Sequence, residues 1–224
     1  MEEKNRMALK EWAVVVKALK EGKQIMLLRK GGIAEEGGEF RVEHREFFLY
    51  PTFSHQDKQY VRPPFFKDFE AAQETPDLWG NVRIDAYATV EEVLEAKDLM
   101  RLHKLEEHHI WTPSYIDLRW NYRPENPLYV LLLRTYLLPE TITFEETREY
   151  RGCKSWVRLD VELSTAGATP ALSEAKFAAK AEAIRSVLKS SPCSSSLHKP
   201  DRPSLIPLQT GSPGKKAPPD RPSG

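Results

Sequence analysis

Residues 128–138 read LYVLLLRTYLL. A near-continuous apolar run of this length is the pattern of a strand buried on both faces. It predicts the strongest strand of the chain, placed centrally in a sheet. One residue breaks the pattern. Arg134 sits inside the run, and a buried guanidinium must be paired or must line a cavity.

Working outward, the loop 121–127 (NYRPENP) precedes the strand. Before it, Thr112-Pro113 marks a helix start, with Thr as cap and Pro in the first turn. That short helix carries Tyr115, Ile116, Leu118, Arg119 and Trp120. Residues 82–88 alternate and predict a strand. Thr89-Val90-Glu91-Glu92 then has capping-box spacing, so a helix is expected with Val93, Leu94, Leu102 and Leu105 on its core face. Pro63-Pro64 opens a short helix over 65–72. Residues 40–52 (FRVEHREFFLYPT) predict a strand ending at Pro51. Two glycine pairs, Gly31-Gly32 and Gly37-Gly38, bracket a flexible loop. The segment 12–19 has both a helical stripe (Trp12, Val15, Val16, Leu19) and a β-branched run (Val14 to Val16). Glu21-Gly22 and the apolar run 24–29 favour a hairpin. On the other side, 154–163 predicts a last strand and 173–188 an amphipathic helix with Phe177, Ala181, Ile184 and Leu188 in register. The fold class is α+β, with a mixed, mainly antiparallel sheet and flanking helices. A single domain is expected over 8–189, after an N-terminal extension (1–7).

From residue 190 the chain is rich in Pro, Ser and Gly. It cannot bury enough apolar surface to offset ordering, so a disordered tail is expected over 190–224. The full chain has 224 residues, with 33 basic and 33 acidic side chains. A zero net charge rules out a global basic field, so a nucleic-acid partner needs a local patch. Cys153 and Cys193 are read as reduced thiols. No apolar run reaches membrane-span length, and the charged N-terminus has no signal pattern, which predicts a cytoplasmic protein without membrane partners.

Four clusters are candidates for chemistry. Glu43-His44-Arg45-Glu46 lies before an aromatic strand, where a carboxylate beside a guanidinium can orient an anion or a water. A charged strand edge is the competing explanation. His55 follows the proline turn and titrates near neutrality as a base or ligand. His108-His109 precedes Trp111, and one of the pair could join Glu43, His44 or His55 in space. The candidate catalytic set is therefore Glu43, His44, His55 and His109. An arginine-rich set, Arg29, Lys30, Arg45, Arg119, Arg123 and Arg134, suits phosphate or another anion. No HExxH, Walker loop, GxGxxG or GxSxG occurs. The sequence names no cofactor, no metal and no oligomeric state. Glu95-Ala96-Lys97 and Cys153 read as a surface charge pair and a small apolar residue.

Several blocks resemble the bacterial domain of unknown function 1802 family: residues 9–32 (LKEWAVVVKALKEGKQIMLLRKGG), 40–56 (FRVEHREFFLYPTFSHQ), 109–112 (HIWT), 128–136 (LYVLLLRTY) and 152–159 (GCKSWVRL). The family carries no activity or catalytic residues to transfer. The resemblance implies an association with restriction-endonuclease-type domains, and so a restriction-modification context. The leading expectation is a nucleic-acid-associated binding domain with an Arg/His-lined cleft. The alternatives are a metal-dependent hydrolase or nuclease-like enzyme, and a non-enzymatic accessory protein.

Overall fold

A computed structural model describes residues 1–30, 33–36, 39–73, 80–152 and 154–189. In chain order the elements are β1 (Lys4–Trp12), α1 (Ala13–Lys20), β2 (Met26–Arg29), β3 (Ile33–Glu36), β4 (Glu39–Val42), β5 (Glu46–Thr52), α2 (Phe66–Gln73), β6 (Asn81–Ala96), α3 (Leu99–His103), α4 (Pro113–Asn121), β7 (Leu128–Glu145), β8 (Trp156–Ser164), β9 (Thr169–Pro170) and α5 (Glu174–Lys189). The main sheet runs β2-β7-β6-β5-β1-β8, with β9 beside β7, and β3 pairs with β4 in a small second sheet. Only β1 and β5 run parallel. The other pairs are antiparallel. The fold is thus α+β with a mixed, mainly antiparallel sheet.

The apolar run at 128–138 opens β7, whose residues Leu128 to Leu133 are all buried. Its partner β6 does not turn helical at Thr89. Val90 to Ala96 stay extended and pair with Leu133 to Leu128, and the register shifts by one residue between Val90 and Glu92. The capping-box spacing was overridden by a long antiparallel ladder that buries Val90, Leu94 and Ala96. Glu95 therefore lies on a strand, not in a helix. The helix is only α3, capped by the Asp98 side chain, which accepts from the Met100 N–H at 2.9 Å.

The expected hairpin at 12–29 is also corrected. Residues 13–20 form α1, with Ala13 to Val16, Ala18 and Leu19 buried. A helix buried on most sides shows little periodicity, so its valines imitate a strand. Gly22 ends it at φ 64°. Its N–H donates to Leu19 C=O, and Lys23 N–H donates to Ala18 C=O, the pair of bonds of a Schellman cap. The Glu-Gly signal stops a helix here rather than turning two strands. The loop expected between the glycine pairs contains β3, paired with β4. The strand expected over 40–52 is two strands, β4 and β5, separated at residues 43–45. β1 begins at Lys4, inside the stretch expected to be an extension. The tail and Cys153 lie outside the described residues.

Alternation along β5 sends Phe47 and Leu49 into a core with α1, and Phe48 and Tyr50 into one with Ile84, Tyr87 and Tyr150. The first core is sealed between α1 and β2 by Gln24, which is fully buried. Its amide donates to Met26 C=O at 2.6 Å, and its carbonyl accepts from Ile110 N–H at 3.1 Å. We expect Gln24→Met to strand both backbone groups and to cost about 2 kcal/mol in urea unfolding. An unchanged midpoint would show that water or rearrangement satisfies them. Among the described residues no helix is long and apolar enough to cross a membrane.

Candidate anion-binding cleft

The parallel pair β1/β5 places Lys10 opposite Tyr50 and Trp12 opposite Thr52. Both strands end here, and α1 starts immediately after Trp12. β8 arrives antiparallel to β1, so Ser155 lies at the same end and its C=O accepts from Lys10 N–H at 2.8 Å. β2 adds Arg29 at its last residue. α4 adds Tyr115 and Arg119, which share a helix face at i and i+4. Together these ends enclose a cleft of about 540 Å³.

Its lining is basic although the chain is neutral. Five cations (Lys10, Arg29, Arg119, Arg151, Lys154) face two carboxylates (Glu11, Glu146). Arg29 has a side chain only 15% exposed. It makes three long contacts: 3.3 Å to Lys10 C=O, 3.4 Å to Glu11 and 3.5 Å to Ser155 Oγ. The Nε groups of Arg29 and Arg119 are buried without hydrogen-bond partners. Arg119 makes no ion pair among the described residues. Its guanidinium stands 5.5 Å from the Tyr122 ring. Burial lowers the Arg29 pKa, Glu11 opposes that shift, and the Arg119 charge adds to it. Burial, and then the Glu11 charge, pushes the Tyr115 phenol up, so it stays protonated near neutrality.

One wall is aromatic, with the rings of Trp12 and Tyr115 5.0 Å apart. Near the other side, Glu146 accepts from Tyr50 OH at 2.9 Å and pairs with Arg151 at 3.4 Å. The Lys10 ammonium is engaged by Tyr150 C=O and lies 5.1 Å from the Tyr50 ring. Hydroxyls of Thr52, Ser54 and Ser155 complete the lining. Fork-shaped cationic donors, hydroxyls and an aromatic wall are the equipment for an anion attached to a flat ring.

Of the residues expected to carry a site, Arg29, His55 and Arg119 line this cleft. His55 is at the rim with φ 62°. The others are not among its lining residues. Lys30 donates to Trp120 C=O at 2.5 Å and to Arg123 C=O at 3.3 Å, closing the end of α4. Arg123 stands 5.3 Å from the Tyr122 ring. Arg134 is held by Glu174 at 2.6 Å and Glu91 at 3.1 Å over the Phe177 ring, where it ties α5 to the sheet. Glu43 and His44 pair loosely at 3.7 Å, His44 packs against Trp156, and Arg45 C=O accepts from Val90 N–H. His109 is 3% exposed beside Trp111, and burial pushes its imidazole down to about 3. The four proposed catalytic side chains therefore do not share this cleft. Among the described residues no group of three His, Cys, Asp or Glu could hold a metal.

The profile of the domain of unknown function DUF1802 matches residues 8–183. The chain belongs to that family. The DUF1802 match spans every element of the cleft. Among curated proteins none matches. Among solved structures, the ASCH protein of Zymomonas mobilis is similar at 10% identity and a TM-score of 0.39, covering 79% of this chain and 93% of that one. A Tyr-to-Phe mutant of ASCH from the same organism gives 11% identity and a TM-score of 0.38, over 68% and 88%.

The cleft residues that sequence reasoning missed are Lys10, Glu11, Trp12, Tyr115, Glu146, Arg151 and Lys154. Lys10-Glu11-Trp12 carries one local signal: two charges and an aromatic directly after the apolar stretch Met7 to Leu9. The rest come from remote segments, and only the sheet order brings them together.

Proposed function

We propose that this DUF1802 domain is a nucleic-acid-binding module, and that its cleft holds phosphate and base of a single-stranded segment. The observation that carries the reading is the pair Arg29 and Arg119. The Arg29 side chain is 15% exposed and Arg119 is half-buried, both have a buried Nε without a partner among the described residues, and the one carboxylate paired with them there is Glu11. A phosphate in the cleft would be met by the outer N–H groups of the two forks. The Trp12–Tyr115 wall then lies within reach of an attached base, and stacking of this kind tolerates many sequences. The exposed cations Arg151 and Lys154 at the mouth would add phosphate contacts. No step of bond making or breaking is assigned to the cleft.

The test is a fluorescence-anisotropy titration with labelled single-stranded DNA and RNA at several salt concentrations. With roughly three phosphate contacts, log affinity is expected to fall with log salt at a slope of about −2. Arg119→Ala is expected to weaken binding roughly tenfold, the size of a lost charge-assisted hydrogen bond. Circular dichroism should be unchanged, because among the described residues the Arg119 side chain makes no ion pair and stands only beside the Tyr122 ring. Absence of binding to either nucleic acid at low salt would refute the proposal.

A further inference from the structure

Resting on that reading, we propose that the cleft selects a terminal phosphomonoester, the phosphate of a strand end or of a free nucleotide, over an internal phosphodiester. Two features point this way. The first is the shape of the cleft. Leu28 is 5% exposed and the Glu11 and Arg29 side chains 12% and 15%, so these groups are recessed, while Arg151 and Lys154 stand exposed. A diester must enter and leave, whereas an end group only enters.

The second is charge. Five cations against two carboxylates leave an excess that a dianion matches better than a monoanion. A phosphomonoester carries close to two negative charges near neutral pH and presents three acceptor oxygens. An internal diester carries one charge and two free oxygens. The Nε donors of Arg29 and Arg119 have no partner among the described residues, and each guanidinium fork has further donors to offer. Glu11 repels a dianion more strongly than a monoanion, and the preference for the dianion comes from the cations that outnumber the carboxylates.

The experiment compares one oligonucleotide sequence in three forms: 5′-phosphorylated, 3′-phosphorylated, and hydroxyl at both ends. A nucleoside monophosphate and inorganic phosphate serve as competitors. At least one phosphorylated form is expected to bind roughly tenfold more tightly than the hydroxyl form, because it adds charge-assisted hydrogen bonds. Arg119→Ala should erase that difference, while Lys154→Ala should weaken all three forms alike. Competition by the monophosphate at matching affinity would identify a free nucleotide as the source. Tighter binding of the phosphorylated strand would identify a strand end. Equal binding of the three oligonucleotides would overturn the inference and leave the nucleic-acid reading standing. Binding of the monophosphate without any oligonucleotide would sustain the inference and overturn strand binding. No binding by any of them would end both.

Discussion

Replacing Trp111 with alanine is expected to lower the unfolding free energy by about 3–5 kcal/mol, the range for truncating a large buried aromatic side chain. Trp111 is 1% exposed and joins three parts of the structure. It forms an isolated bridge with Val61. The flanking bonds, Arg62 N–H to Ile110 C=O at 2.8 Å and Thr112 N–H to Tyr60 C=O at 2.9 Å, fasten the loop before α2 to the loop before α4. Its ring stacks on Tyr115 at 5.4 Å, and Tyr115 is the wall of the cleft. Trp111→Phe should cost much less. The indole N–H is buried without a partner, and removing it relieves a penalty of about 1–3 kcal/mol that offsets part of the lost packing. Urea unfolding of both variants checks the ordering. If Trp111→Phe proves as damaging as Trp111→Ala, the unsatisfied N–H is not a real cost. The alanine variant should also bind nucleic acid more weakly in the native baseline, because Tyr115 loses the ring behind it.

Most of the sheet was legible because strands declare themselves through apolar length. The run at 128–133 calls for a central strand, and the structure pairs it edge to edge with β2 and β6 while Leu128 to Leu133 are all buried. The sequence misled where burial was complete or where pairing was remote. In α1, valines at 14, 15 and 16 are buried together, so neither a period of two nor of 3.6 stands out. At Thr89 the cap pattern is genuine, but β7 offers Val90 to Ala96 a ladder worth more than one helix start. The glycine-bracketed segment looked unstructured because a four-residue strand leaves almost no periodic trace.

The candidate site was legible only at its arginines. Arg29 and Arg119 stand out as cations within apolar segments, which is a local observation. Arg134 has the same signature and a different fate, since Glu91 and Glu174 neutralise it. What separates them is how many carboxylates arrive from elsewhere in the fold: two reach Arg134, one reaches Arg29 and none among the described residues reaches Arg119, and that is a property of strand order. His55 lines the cleft, whereas the other two histidines expected at a site have their rings in packing. His44 packs its ring on Trp156 and His109 on Trp111, so the aromatic faces are used in packing.

His109 supplies the second large effect, an acid-sensitive stability. Its imidazole is buried, and burial lowers its pKa to about 3, with the charges of Arg62, His108 and His103 adding to the shift. The Trp111 backbone slightly favours the charged ring but stands outside hydrogen-bond geometry, so neither ring nitrogen has a partner. The unfolded chain takes up a proton near the ordinary histidine value of about 6.5. With the folded value depressed, the neutral ring's contribution is complete above pH ~6.5 and is lost as the pH falls toward the folded value. Each unit costs at most about 1.4 kcal/mol, so between pH 6.5 and 4.5 the loss approaches 2–3 kcal/mol. Glu21, Glu46 and Glu92, whose pKa values are lowered by their partners, add further acid lability below that window. The comparison that isolates the histidine is His109→Phe, which keeps an aromatic ring against Trp111 and removes the proton site. Its stability at pH 7.5 should match or exceed that of the parent protein, since no hydrogen bond is lost. Urea midpoints across pH 7.5 to 4.5 should fall for the parent protein and fall clearly less for the variant, which keeps His108, whose pKa burial also lowers. Parallel pH profiles for the two would mean that the buried ring binds a proton as readily in the folded protein as in the unfolded one.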